Sequence, residues 1–224
     1  TVSVYATDMS DVASAKAKIV TPDGNDIDGN KEFNMNVAGG ILSQNVNISD
    51  IPSGAYALKV TATDTNGFST TETSNPFFIR NVKPTGTVNV ASDLIYNEKP
   101  LIADENIKLD FDISEEFANS SYAKGQSLYY RMGTASGEYG DWIKAGEITS
   151  DENGLKLAAT VDAPSIALVD GENTIFVQTA ICHENADKSK IDLGTVKEDE
   201  IIFYYDNTAP NADLVITDEH TRES

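Results

Sequence analysis

The chain has 224 residues, 40% of them hydrophobic, with one cysteine, two histidines and a formal charge of −20 from 36 acidic and 16 basic residues. That length suits one or two domains with small cores, and a field of this sign repels phosphate backbones and anionic lipid, so nucleic acid is excluded as a partner. A lone cysteine excludes an internal disulfide, a zinc cluster lacks soft ligands, and no apolar run approaches the roughly 18 residues needed to span a bilayer.

The pattern along the chain is that of strands. The chain opens at Thr1 without a methionine or a signal peptide, which reads as a processed form or a piece of a longer protein. Residues 1–8 alternate, with Val2, Val4 and Ala6 on one face, and Ala13, Ala15, Ala17 and Ile19 continue the alternation after a turn. Residues 22–30 are a loop by composition. Phe33, Met35 and Val37 then share a face, Gly39-Gly40 turns the chain, and Val46 and Ile48 follow at period two. The clearest strand of the first half carries Tyr56, Leu58, Val60 and Ala62. It ends at the turn Asp64-Thr65-Asn66-Gly67, whose glycine suits a positive φ. The last strand of this half ends at Ile79.

The second half repeats the pattern with longer loops and most of the charge, 10 basic against 23 acidic residues between positions 83 and 208. Ile107, Leu109, Phe111 and Ile113 alternate, as do Leu128, Tyr130 and Met132; Trp142 and Ile143 follow a glycine-rich turn. Further strands carry Leu155 to Val161 and Ile175 to Ile181. A charged loop from about Cys182 to Asp199 precedes a closing strand, Ile201 to Tyr205. Residues 166–169 suit one short helical turn, and no segment has a convincing 3.6-residue period.

A joint occurs twice. Phe77-Phe78-Ile79-Arg80-Asn81 and Pro84 return as Phe203-Tyr204-Tyr205-Asp206-Asn207 and Pro210, 126 positions on, and Val88 and Val90 return as Leu214 and Ile216. Each copy reads as an aromatic strand, a polar break, a proline and a new strand. Proline lacks a backbone N–H, so it ends one ladder and stiffens the step into the next. The expected organisation is a domain at 1–82, a second at 83–208, and at 209–224 the first strand of a following domain or a tail exchanged with another molecule. Short strands with turn signals every 8–12 residues indicate an all-β fold of two tandem β-sandwiches.

Gly54-x-Tyr56-x-Leu58-x-Val60-x-Ala62-x-Asp64-x-x-Gly67 resembles the penultimate strand and turn of bacterial immunoglobulin-like domains, and Gly171-x-Asn173-x-Ile175-x-Val177-x-Thr179 is the matching strand of the second half. Tyr205-Asp206-Asn207-Thr208-Ala209-Pro210 resembles the joint between successive modules, and Leu128 to Met132 with Trp142 the mid-domain strands. The resemblance implies two tandem immunoglobulin-like β-sandwich domains of an extracellular protein, of the kind found in S-layers, adhesins and large secreted enzymes. It also implies that the first domain lacks its opening strand, with neighbouring domains of the same protein or identical subunits as partners. The functional expectation is a non-catalytic spacer or lattice module of a bacterial cell-surface protein. The alternative is a carbohydrate-binding accessory module of a secreted glycan-degrading enzyme.

Catalytic groups do not assemble in the sequence. His183 and His220 lie in no metal or nucleophile motif, and Cys182 and His183, adjacent on a strand, point to opposite faces. Calcium is the one cofactor the residues suit, because its ligands are hard oxygens. Asp26-x-Asp28-x-Asn30 begins like an EF-hand loop, but Lys31 and Val37 occupy the glycine and bidentate-acid positions. In an immunoglobulin-like topology Asp8, Asp11, Asp64 and Asn66 fall at one end. Asp23, Asp26, Asp28 and Asp50 fall at the other, facing Glu115 and Glu116, with Asn81 in the linker. These side chains either hold calcium at the joint or cap turns. Tyr129, Tyr130, Tyr139 and Trp142 form either a glycan-stacking platform or ordinary packing.

Overall fold

The computed structural model describes residues 2–5, 11–29, 32–134, 137–151 and 154–208. Its first seven strands are β1 (Val2–Tyr5), β2 (Val12–Val20), β3 (Phe33–Ala38), β4 (Ile41–Gln44), β5 (Gly54–Asp64), β6 (Ser69–Thr73) and β7 (Phe77–Ile79). They form one antiparallel sheet in the order β1-β4-β3-β2-β5-β6, with β7 added to the start of β5. The sheet folds over because β3 changes partners midway: residues 33–35 pair β2 and residues 36–38 pair β4. Leu42 on β4 is thereby carried onto Ala15, Ala17 and Ile19 of β2 and Tyr56, Leu58 and Val60 of β5 in one buried cluster. The tight β3–β4 turn depends on Gly39 and Gly40, both at positive φ (58° and 78°), a conformation that costs glycine little.

Ten further strands follow: β8 (Thr85–Val90), β9 (Leu94–Tyr96), β10 (Lys99–Ile102), β11 (Lys108–Glu115), β12 (Gln126–Gly133), β13 (Ile143–Glu147), β14 (Thr149–Asp151), β15 (Gly154–Asp162), β16 (Gly171–His183) and β17 (Lys197–Tyr205). A four-stranded sheet, β14-β15-β11-β8, faces a six-stranded sheet, β13-β12-β16-β17-β10-β9, in which β10 and β17 run parallel. Alternation sets the contents of the sandwich. Leu109, Phe111 and Ile113 on β11, with Leu155 and Leu157 on β15, meet Leu128, Tyr130 and Met132 on β12 and Ile175 and Val177 on β16. The fold is all-β, a folded-over seven-stranded sheet followed by a sandwich of four- and six-stranded sheets.

The strand ends that open the repeated stretch are held alike. Ile79 pairs with Gly54 as Tyr205 pairs with Gly171. Asn81 N–H donates to Ser53 Oγ (2.9 Å) as Asn207 N–H donates to Asp170 Oδ1 (3.3 Å), so each chain end is tied to the residue before a long strand, β5 in the first unit and β16 in the second.

Three local expectations differ from the structure, and one hairpin had no expectation at all. Residues 45–49 are irregular, because the hairpin strand after Gly39-Gly40 starts at once with Ile41 and Leu42. Residues 166–169 form no helical turn; the short 3₁₀ turns are at Ser120–Tyr122, Lys188–Lys190 and Leu193–Thr195. The β9–β10 hairpin carries no alternating signal, since Leu94, Ile95 and Tyr96 are all exposed. Finally, β17 starts at Lys197 rather than Ile201, its charged first half held by backbone pairing with β16.

Candidate functional site

The structure concentrates its unusual chemistry where the two units meet. The start of β5 and the whole of β7 form a wall with a core on each side. Tyr56 and Ile79 face the first core, whereas their neighbours Ala55 and Phe78 face the second. One pair of strands thus serves both units, which follows from the two-residue period of a strand. The meeting surface lies one strand ahead of the proline, not at it.

Three kinds of contact close this joint. First, the backbone is bridged: Ala55 N–H donates to Ala118 O (2.9 Å), Ala118 N–H donates to Ser53 O (2.8 Å), and Asn119 Nδ2 donates to Ala55 O (3.0 Å). Gly54 is needed for this approach, because a Cβ there would lie 2.8 Å from both the Cβ and the carbonyl oxygen of Ala118. Second, Phe78 packs on Phe117 with ring centroids 6.1 Å apart. Third, Arg80, just past β7, reaches Glu115 at the end of β11. Its Nε lies 3.2 Å from Oε1 and 3.3 Å from Oε2, and its guanidinium carbon is 5.2 Å from the Phe117 centroid.

Glu115 follows Leu109, Phe111 and Ile113 at period two, so β11 turns its carboxylate into the sandwich, where its side chain is 0% exposed. Burial pushes its pKa up, and the Arg80 charge and hydrogen bond oppose that rise. Glu115 Oε1 and Arg80 Nη2 are buried without a well-aligned hydrogen bond. Such a pair fixes a geometry more than it adds stability.

The side chains singled out as calcium ligands are distributed as follows. Asp8 lies outside the described residues. Asp64 accepts from the N–H groups of Asn66 (2.9 Å) and Phe68 (2.8 Å), and the Asp11 carbonyl accepts from Thr65 N–H (3.0 Å), so Asp11, Asp64 and Asn66 are brought together around a turn. At the joint end, Asp26 pairs with Lys18, Asp23 accepts from the Tyr122 hydroxyl of the second unit, and Asp50 accepts from Ser49 Oγ (3.3 Å). Asp28 and Glu116 are exposed. Asn81 Nδ2 donates to the carbonyls of Ile48 (2.7 Å) and Ile51 (2.6 Å), tying the linker to the first unit. Among the described residues no three acids, histidines or cysteines group in a way that suits a metal ion.

The aromatic candidates divide. Tyr130 is core and Tyr129 is buried beneath Lys188 Nζ, 4.4 Å from its ring centroid. Tyr139 and Trp142 instead flank Arg131 on the outer face of β12. Cys182 and His183 pair with Ser127 and Gln126 on opposite faces of β16, and burial pushes the Cys182 thiol up.

The residues that make the joint, Gly54, Ala55, Phe78, Arg80, Phe117 and Ala118, were not legible as a set. One signal was present: an acid at an inward register calls for a cation, and Arg80 is the basic residue inside the repeated aromatic stretch.

No protein-family profile matches the chain, and no curated protein matches it by sequence. Solved structures do. A tetra-tandem repeat in the extending region of a large adhesion protein is 17% identical at a TM-score of 0.32, over 92% of this chain and 45% of that one. Fibronectin(III)-like modules of Clostridium thermocellum CbhA are 13% identical at a TM-score of 0.36, over 96% of this chain and 90% of that one. The chain spans under half the length of the adhesion-protein repeat. Among the described residues no helix is long and apolar enough to cross a membrane.

Proposed function

We propose that this chain is a non-catalytic spacer segment of a bacterial cell-surface protein, in which two β-sandwich modules are held at a fixed angle to transmit length and force. The observation that carries the reading is the joint. Backbone bridges at Ala55 and Ala118, the ring contact of Phe78 with Phe117 and the buried Arg80–Glu115 pair replace a flexible linker with continuous packing. Inter-domain contacts otherwise default to relative motion. The acidic surface keeps neighbouring copies apart and soluble.

Residual dipolar couplings on the whole chain test this. Rigid modules fit a single alignment tensor. Two tensors of different magnitude for residues 11–79 and 85–205 would mean independent tumbling and end the spacer reading. Surface proteolysis of intact cells of the source organism tests the location, with protection until lysis as the adverse result.

A second reading, a carbohydrate-binding accessory module, is favoured by one observation: the exposed side of the Trp142–Arg131 cluster.

A further inference from the structure

On the outer face of the six-stranded sheet a cleft of about 540 Å³ opens between the β12–β13 connection and the excursion that links β16 to β17. Its walls include Arg131, Asp141, Trp142, Lys188, Ile191 and Leu193. Tyr130 is buried in the core, so the next residue on β12, Arg131, projects outward. Its guanidinium carbon lies 5.1 Å from the Tyr139 centroid and 4.7 Å from the Trp142 centroid, and Nε donates to Gln178 Oε1 at 2.9 Å. Gln178 and Tyr139 are fixed in turn, both donating to Glu198 Oε2. The fork is therefore held at its stem, while among the described residues its terminal nitrogens form no ion pair and are placed to meet a ligand.

Lys188 supplies a second fixed charge. Its Nζ donates to the carbonyls of His183 (3.3 Å), Glu184 (2.6 Å) and Ala186 (2.8 Å) above the Tyr129 ring. Neither Arg131 nor Lys188 forms an ion pair among the described residues, in a chain with more than twice as many acids as bases. Asp141 stands on the rim and pairs with neither. Beside the cations lie the half-buried indole of Trp142, Ile191, and Leu193 at 62% exposure.

We infer that this cleft binds a short carboxylate-bearing saccharide, its acid on Arg131 and its ring face against Trp142 and Leu193. A preset guanidinium recognises a planar carboxylate by two parallel hydrogen bonds, and an indole offers a flat face to sugar C–H groups. The volume falls in the range of about 300–1,000 Å³ usual for small-ligand sites. The chain's net charge of −20 repels polyanions more strongly than ligands with one or two acids. The inference rests on the carbohydrate reading and is independent of the spacer reading, since the cleft shares no residue with the joint.

Trp142 is the only tryptophan in the chain, so its fluorescence reports this site alone. Titrating the whole chain with digalacturonate should give a saturable emission change, weakened at least ten-fold in Arg131→Gln and by high salt. Uncharged galactobiose should give none. Saturation-transfer NMR on the unaltered chain repeats the measurement without any substitution, in case Arg131→Gln disturbs Gln178 and Tyr139. No response to either sugar overturns both the inference and the carbohydrate reading. An equal response to galactobiose overturns carboxylate recognition and leaves a carbohydrate module. A stronger response to triglutamate than to digalacturonate overturns the saccharide in favour of an acidic peptide.

Discussion

Replacing Arg80 by alanine should cost far more than the loss of one mostly buried side chain's packing suggests. Glu115 is fully enclosed at the end of β11, and Arg80 is its one charged partner among the described residues. Truncating one partner of a buried pair strands the other, at a cost of about 3–5 kcal/mol. Loss of the guanidinium over Phe117 belongs to the same figure, since a cation on a ring contributes about 0.5–2 kcal/mol. For a unit of this size that corresponds to a fall of roughly 10–20 °C in the melting temperature of the second module. The loss depends on pH in a fixed direction. Burial already holds the Glu115 pKa above its unfolded value, and Arg80→Ala removes both effects that oppose the rise. Its ionisation therefore opposes folding. The stability it permits is complete below the ordinary carboxylate range and is lost as pH rises through the raised pKa. Urea and thermal unfolding of Arg80→Ala between pH 4.5 and 8 should show the deficit widening toward pH 8. The double variant Arg80→Met/Glu115→Leu, with no charge left to bury, should recover most of it. A deficit under about 1 kcal/mol at pH 7, or one of equal size at pH 5 and pH 8, refutes the argument, because both follow only from a stranded buried carboxylate.

Other substitutions separate the joint from the cores. Gly54→Val places a side chain onto the Ala118 backbone, so it should split the single alignment tensor into two while each module keeps its own fold by amide chemical shifts. Asn81→Ala removes two hydrogen bonds to the carbonyls of Ile48 and Ile51. A loss of about 1–3 kcal/mol confined to the first module's urea transition is expected, and an unchanged midpoint counts against the clamp. Millimolar calcium should shift either melting temperature by less than about 1 °C, because Asp64, Asp26, Asp23 and Glu115 already bond to backbone N–H groups, Lys18, Tyr122 and Arg80. A rise of several degrees, reversed by chelator, would mean that these acids regroup around an ion.

The sequence alone determined what depends on local periodicity. A strand's side chains alternate, so Tyr56, Leu58 and Val60, or Leu109, Phe111 and Ile113, declare both the strand and its buried face. Turn residues declare themselves in the same way, since Gly39-Gly40 and Asp64 to Gly67 need few neighbours to act. The repeat at 126 residues likewise marks two strand ends, Ile79 and Tyr205, that pair with a glycine at the start of a long strand, Gly54 and Gly171. Tertiary structure decided where the other faces go. Ala55 and Phe78 lie on the outward side of the first unit's strands, and only the arrival of Phe117 and Ala118 makes that side an interior. The fates of the acids and aromatics were decided at the same level. Glu115 and Asp26 are both carboxylates in acidic surroundings, yet one is sealed against Arg80 and the other pairs with Lys18 at the surface. Tyr130 and Trp142 are both aromatic, yet one fills the core and the other stands beside an outward guanidinium. The physical reason is range: hydrophobic alternation is written in neighbours two residues apart, whereas an ion pair or a shared wall joins residues tens of positions apart, and no pattern in one segment specifies its partner in another.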